Sequence, residues 1–82
     1  MPNALAFTDE EIDALSSEIC DIAVLWNEPM PTTRLKQYLR TLTMQNRTMT
    51  FTRLMRSMEL ARMQDHAFPM PADILGREVR GS

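Results

Sequence analysis

The sequence has little of what secreted proteins and many enzymes require. It contains one cysteine, Cys20, and two glycines, Gly76 and Gly81. A single cysteine excludes an internal disulfide, and two glycines exclude a glycine-rich phosphate loop. No basic segment followed by an apolar run opens the chain, so we expect no secretory signal peptide. Together these absences predict a protein of the reducing cytoplasm.

Long apolar runs and metal-binding clusters are also missing. No stretch reaches the roughly 18 consecutive apolar residues that a membrane-spanning helix needs. The one histidine, the one cysteine and the scattered acids do not form a ligand set with metal-binding spacing. We therefore expect no membrane span, no metal and no cofactor, and we expect the chain not to be an enzyme.

The composition is that of one small folded domain. The 82 residues are 44% hydrophobic and 24% charged, which is ordinary for a globular protein. A chain of this length buries a modest core and leaves little room for a deep pocket. We predict a single helical domain over residues 1–82, with residues 1–7 and 77–82 frayed.

The formal net charge of −2 hides an asymmetry between the two ends of the chain. Residues 1–28 carry seven acidic residues and no lysine or arginine, whereas residues 29–82 carry all nine basic residues and four acidic ones. The asymmetry favours an acidic or polyanionic partner. The same asymmetry would arise if an acidic helix packs against basic helices in the same molecule. We expect such internal pairing to explain at least half of the asymmetry.

Helical periodicity accounts for the first half of the chain. Residues 8–11 read as a capping box, and apolar residues then recur at intervals of three and four to Trp26, which predicts a helix from about Asp9. The prolines of residues 29–31 end it. We expect Thr32 or Thr33 to cap a second helix that ends near residue 44 or 45, and a left-handed turn at Asn46 to follow.

A third helix and a short fourth one are predicted for the second half. Thr48 or Thr50 caps the third helix, which runs to about residue 65. Pro71 can begin the final helix, whose Ile74 and Leu75 fold back with Phe68 onto the core. With no strand pattern in the sequence, the predicted fold is all-α: a small bundle of three main helices plus a short C-terminal helix. The core face of the third helix should comprise Phe51, Leu54, Met55, Met58 and Ala61.

The third helix also carries apolar residues on its other side. At about 100° per residue, Leu60 and Met63 fall among Arg53 and Arg56, opposite the predicted core face. Arginine and exposed apolar side chains favour protein interfaces. We predict that these four residues form a partner-binding strip. The alternative is that Leu60 and Met63 pack on the C-terminal tail while the arginines are only solvated.

The end of the chain resembles a known family. An acidic first helix, a proline link, a helix with Leu35 and Tyr38 and an arginine-rich helix are followed by the segment 68–74, which reads aromatic-Pro-x-x-Ala-x-Ile. This architecture is similar to the small helical bacteriophage replication proteins that load or inhibit the replicative helicase. The resemblance implies a protein partner, such as that helicase or another host complex. Some members extend further at the C-terminus, and the lack of such an extension favours an inhibitor or recruitment module over a complete loader.

Two other classes of function stay open. The second and third helices with a short turn would suit a helix-turn-helix nucleic-acid binder, with Arg47, Arg53 and Arg56 meeting phosphates. The acidic pI of about 5.2 argues against it, as do the few base-reading side chains in the third helix. A self-associating helical dimer is the other alternative, because Trp26, Leu60 and Met63 are apolar residues left over from the predicted core.

Overall fold

The computed structural model describes residues 7–46 and 49–77 and confirms the predicted all-α bundle. Four helices occupy this part of the chain: α1 (Asp9–Leu25), α2 (Thr32–Met44), α3 (Phe51–Gln64) and α4 (Pro71–Gly76). The described residues include no strand. Three main helices and a short C-terminal one are therefore present as the sequence predicted.

The four helices pack as a ring. Helix α1 contacts α2 and α3, and α4 contacts the same two helices from the opposite side. Within the described residues α2 and α3 do not contact each other directly. Each helix, together with Met49 of the connection between α2 and α3, contributes apolar residues to one shared core: Leu15, Ile19, Ile22, Tyr38, Leu42, Met49, Leu54, Met58, Ala61 and Ile74.

Helix α1 begins at the predicted capping box. The Thr8 hydroxyl accepts a hydrogen bond from the backbone N–H of Glu11 at 3.1 Å, and the Glu11 carboxylate accepts one from the N–H of Thr8 at 2.9 Å. These bonds satisfy two backbone donors of the first turn. The helix ends at Leu25, one residue earlier than expected, and Asn27 then adopts a left-handed φ of 51°.

Replacement of Thr8 by alanine is expected to lower the free energy of unfolding by about 1 kcal/mol, because it removes the acceptor for the Glu11 N–H. Urea denaturation followed by circular dichroism measures the change. The exposed Thr33, which makes no capping bond in α2, is the matched control, and Thr33→Ala should leave the midpoint nearly unchanged. Equal midpoints for Thr8→Ala and the wild type would contradict the assignment.

Two local predictions about the helix ends are wrong. Neither Thr32 nor Thr33 caps α2; Pro31 occupies the N-cap position without a side-chain hydrogen bond. Asn46 is not left-handed. Its buried side chain instead accepts from the N–H of Met49 at 2.9 Å and donates to the carbonyl of the same residue at 2.6 Å. The prediction for α3 is confirmed, because Thr50, one of the two expected caps, occupies the N-cap and its side chain accepts the N–H of Arg53 at 3.3 Å.

The C-terminal segment closes the ring through polar bonds as well as apolar contacts. The buried Tyr38 hydroxyl donates to the carbonyl of Pro69 at 2.6 Å, and the buried Ser57 hydroxyl donates to the carbonyl of Ile74 at 2.8 Å. Burial, together with the nearby Asp73 carboxylate, raises the pKa of Tyr38 above its ordinary value, against the opposing effect of Arg34. The hydroxyl therefore stays protonated and keeps its role as a donor.

Both chain ends were predicted to fray, but the residue of each end that lies nearest to the bundle packs on it or pairs with it. Phe7 packs against the core cluster. Arg77 forms an ion pair with Asp65, the C-cap residue of α3. The other residues of the predicted frayed ends, 1–6 and 78–82, lie outside the described part of the chain.

Candidate functional site

Helix α3 separates a buried face from an outward one, as its sequence pattern predicts. Leu54, Met58 and Ala61 are fully buried, and Phe51 and Met55 pack against the core from its edge. Ser57, which the sequence did not place in the core, is also buried because it bonds to the backbone of α4. The side of α3 opposite these residues faces away from the bundle.

The four residues of the predicted strip share this outward side, with different exposures. Arg53 and Arg56 are exposed, and Met63 is 70% exposed, one of the most exposed large apolar side chains among the described residues. Leu60 is only partly exposed. It lies about 60° around the helix from Ser57, the residue that contacts α4, and therefore belongs to the half of the strip nearer to α4.

An acidic residue, Glu59, borders the strip. The Arg56 guanidinium forms an ion pair with the Glu59 carboxylate at 3.0 Å, and both side chains remain about half exposed. Exposed pairs of this kind are worth little because water and salt screen them. The charge of Arg56 is thus available to a partner that offers a better-placed carboxylate. The spacing of three residues on one helix was the signal that could have identified Glu59.

A shallow groove of about 400 Å³ runs between α1 and α3 beside the strip. Phe51 and Met55 contribute apolar surface to it. Glu18 of α1 and Arg62 of α3 form an ion pair across it at 3.3 Å. Because Arg56 and Glu59 also line this groove, it continues the strip toward α1 and widens the surface that a partner could contact.

Few of the seven acidic residues in the segment 1–28 form ion pairs within the described residues. Of its seven acids, only Glu18 and Glu28 form ion pairs within the described residues, with Arg62 and Arg34 respectively, and Glu11 serves the capping box. The other four carboxylates, which belong to Asp9, Glu10, Asp13 and Asp21, are exposed. The acidic helix α1 packs against α2 and α3, as expected, and direct ion pairs within the described residues involve two of the seven acids.

A cleft of about 630 Å³ lies between the end of α3 and α4. Asp65, His66, Asp73 and Arg77 line it, without any serine, threonine or cysteine. Two of its carboxylates already have structural partners, since Asp65 pairs with Arg77 and Asp73 accepts the N–H of Met70 at 3.0 Å. No serine, threonine or cysteine nucleophile therefore stands beside a base among these lining residues.

The segment that carries the family resemblance has a packing role in this fold. Phe68 stacks edge-on with Tyr38 at 5.8 Å and lies under the Arg34 guanidinium at 5.4 Å. Pro69 and Ile74 are fully buried, and Pro71 occupies the first turn of α4. Packing in the core is therefore enough to explain most of the residue types in the segment 68–74.

Comparison with known proteins gives no match. It matches no family model, no curated protein and no solved structure. Over residues 7–46 and 49–77, no group of histidine, cysteine and acidic side chains could hold a metal ion. No helix in the same residues combines the length and the apolar character needed to cross a membrane.

Proposed function

We propose that this chain is a non-enzymatic protein-binding module and that the outer strip of α3 (Arg53, Arg56, Leu60 and Met63) is its binding surface. The observation that carries the proposal is the 70% exposure of Met63 on the same side of α3 as the exposed side chain of Arg56. An exposed apolar side chain and an arginine on one helix face are two residue types that interfaces use.

The proposed partner surface is an apolar groove with an acidic rim. Methionine adapts its shape to such a groove because its side chain is unbranched and flexible. Burial of Met63 would contribute roughly 1.5–3 kcal/mol to binding, whereas Arg53 and Arg56 would set orientation and association rate. Leu60 would add contact at the edge, since part of its surface is already covered by the fold.

We further propose that the partner belongs to a bacterial replication complex, with the replicative helicase as first candidate and inhibition or recruitment as the effect. The support is the resemblance of the 68–74 segment and of the helix order to phage proteins that act on that helicase. Because packing also accounts for that segment, the strip on α3, and not the segment itself, is the part that we expect to touch the partner.

A helix-turn-helix nucleic-acid binder ranks below this proposal. In that motif the recognition helix follows its partner helix after a short turn and the two pack against each other. Here α2 and α3 lie across the ring from one another and make no direct contact within the described residues. Four exposed carboxylates on α1, which form no ion pair within the described residues, also repel phosphates.

The proposal is tested by introducing acidic residues into the strip. Arg56→Glu with Met63→Asp should abolish capture of the specific partner from bacterial lysate, or weaken binding of purified helicase at least about tenfold, because the anchoring contact is lost. The exposure of both side chains means that the fold should survive, which circular dichroism checks. Leu60 is left unchanged because it is partly buried.

The control for this variant is Gln37→Glu with Met44→Asp on α2. These two residues have the same spacing of seven, both are exposed, and Met44 is 62% exposed. Proteins that the wild type and the control capture, and that the strip variant loses, are the specific partners. Capture of the same proteins at full strength by all three would show that the strip is not the interface.

A further inference from the structure

The methionines of the described residues differ widely in their access to solvent. Met49 and Met58 are buried, at 6% and 0% exposure, whereas Met44, Met63 and Met70 are 62%, 70% and 51% exposed. A dissolved oxidant reaches a thioether readily only where the side chain is open to water. The exposed methionines are therefore accessible to oxidation, and the core methionines are protected as long as the chain stays folded.

Met44 and Met63 have similar exposure, but their sulfur atoms differ in their surroundings. The Arg40 Nε donates a hydrogen bond to the Met44 Sδ at 3.3 Å. This bond occupies one lone pair of the sulfur and places a positive charge beside it, and both effects make the sulfur a weaker nucleophile. No hydrogen bond reaches the Met63 Sδ from the residues that the structure describes. Met63 thus combines the higher exposure with the more available sulfur.

We propose that Met63 is a site of reversible oxidation by peroxides and that its oxidation releases the partner of the outer strip of α3. The effect on binding rests on the proposed function, whereas the reactivity of Met63 does not. A lone pair of the Met63 sulfur attacks one oxygen of hydrogen peroxide, and the S–O bond forms as the O–O bond breaks. The thioether loses two electrons and becomes a sulfoxide. The proton of the transferred oxygen goes to the departing hydroxide, which leaves as water.

The reverse step needs a reductant that carries two thiols. A methionine sulfoxide reductase supplies them: its thiols are oxidised to a disulfide, the sulfoxide oxygen leaves as water, and the thioether returns. The chain has one cysteine, Cys20, so both electrons have to come from another protein. The state of Met63 would then follow the balance between peroxide and reductase around it.

Oxidation alters the side chain on which the proposed interface depends. A sulfoxide oxygen is a hydrogen-bond acceptor that water satisfies, and an apolar groove offers it no donor. We therefore expect the oxidised chain to bind its partner at least about tenfold more weakly. The fold should persist, because Met63 lies outside the core cluster and the residues packed against it. Oxidation would thus change binding without unfolding the protein.

Peptide mapping by tandem mass spectrometry, after limited treatment of the folded protein with hydrogen peroxide, tests the reactivity. Met63 should be oxidised at least about twofold faster than Met44, and Met58 should stay a thioether. In concentrated urea the rates of Met63 and Met44 should become equal, because the bond from Arg40 is lost on unfolding. Equal rates for Met63 and Met44 in the folded protein would overturn the proposal.

The effect on binding is measured with the partner that the wild type captures and the Arg56→Glu, Met63→Asp variant loses. Peroxide-treated wild type should bind this partner at least about tenfold more weakly, and a methionine sulfoxide reductase with a thiol should restore binding. Met63→Leu keeps a similar apolar volume and should bind equally before and after peroxide. The control, Met44→Leu, should lose binding on treatment as the wild type does.

Two outcomes separate this inference from the function on which it rests. Undiminished binding by wild type whose Met63 is oxidised would overturn the proposed release and leave the strip as the interface. Capture of every partner by the Arg56→Glu, Met63→Asp variant would instead overturn the proposed function, and the effect of oxidation on binding with it.

Discussion

Replacement of Ile74 by alanine is expected to lower the free energy of unfolding by about 2–5 kcal/mol. Ile74 is fully buried and is the residue through which the six-residue helix α4 enters the core. Its carbonyl also accepts the Ser57 hydroxyl at 2.8 Å. A domain of this length has only about 4–12 kcal/mol of stability in total. The variant should therefore lose a large fraction of it.

Chemical denaturation measures the loss in the free energy of unfolding of Ile74→Ala, with Val24→Ala as the control. Both changes shorten a β-branched side chain in a helix, but Val24 is 79% exposed and its loss should change the stability by less than about 0.5 kcal/mol. Similar midpoints for the two variants would mean that α4 does not close the core in solution.

Replacement of Asn46 by alanine is expected to cost about 2–4 kcal/mol, more than a usual loop substitution. The Asn46 side chain is 4% exposed and bonds both the N–H and the carbonyl of Met49, which is 6% exposed. Its removal leaves two buried backbone groups without their partner, and each unsatisfied group costs about 1–3 kcal/mol. Thermal unfolding monitored by circular dichroism provides the measurement.

The neighbouring Gln45 is the control for Asn46, because its side chain is exposed. Gln45→Ala should change the stability by no more than about 0.5 kcal/mol. If Asn46→Ala is as mild as Gln45→Ala, the connection between α2 and α3 is held by the apolar contacts of Met49 and not by the asparagine.

Features that depend on neighbours along the chain were predictable from the sequence. The Thr8–Glu11 capping box needs only a spacing of three residues, and the buried face of α3 follows from helical periodicity. Pro71 at the start of α4 reflects the preference of proline for the first helical turn. The number of helices and their approximate ends followed from such local signals.

Features that depend on the packing of the helices were not predictable. Asn46 suits a left-handed turn in isolation, but here it lies against Met49 in the interior, where its two bonds decide its conformation. Which acids are neutralised depends on which helices are neighbours: Glu18 meets Arg62 because α1 packs on α3. For the strip, residue types and periodicity placed Met63 outward, whereas they did not predict that Leu60 would be partly buried.

The methyl signal of Met63 tests the proposed binding surface most directly. Methionine methyl groups can be labelled with ¹³C and observed by NMR in a large complex, and Met44 and Met70, which are 62% and 51% exposed, serve as internal references. When a partner captured by the wild type is added, the Met63 signal should shift or broaden while the Met44 signal on α2 stays in place. A Met63 signal that is unchanged by saturating partner would contradict the assignment of the α3 strip as the interface.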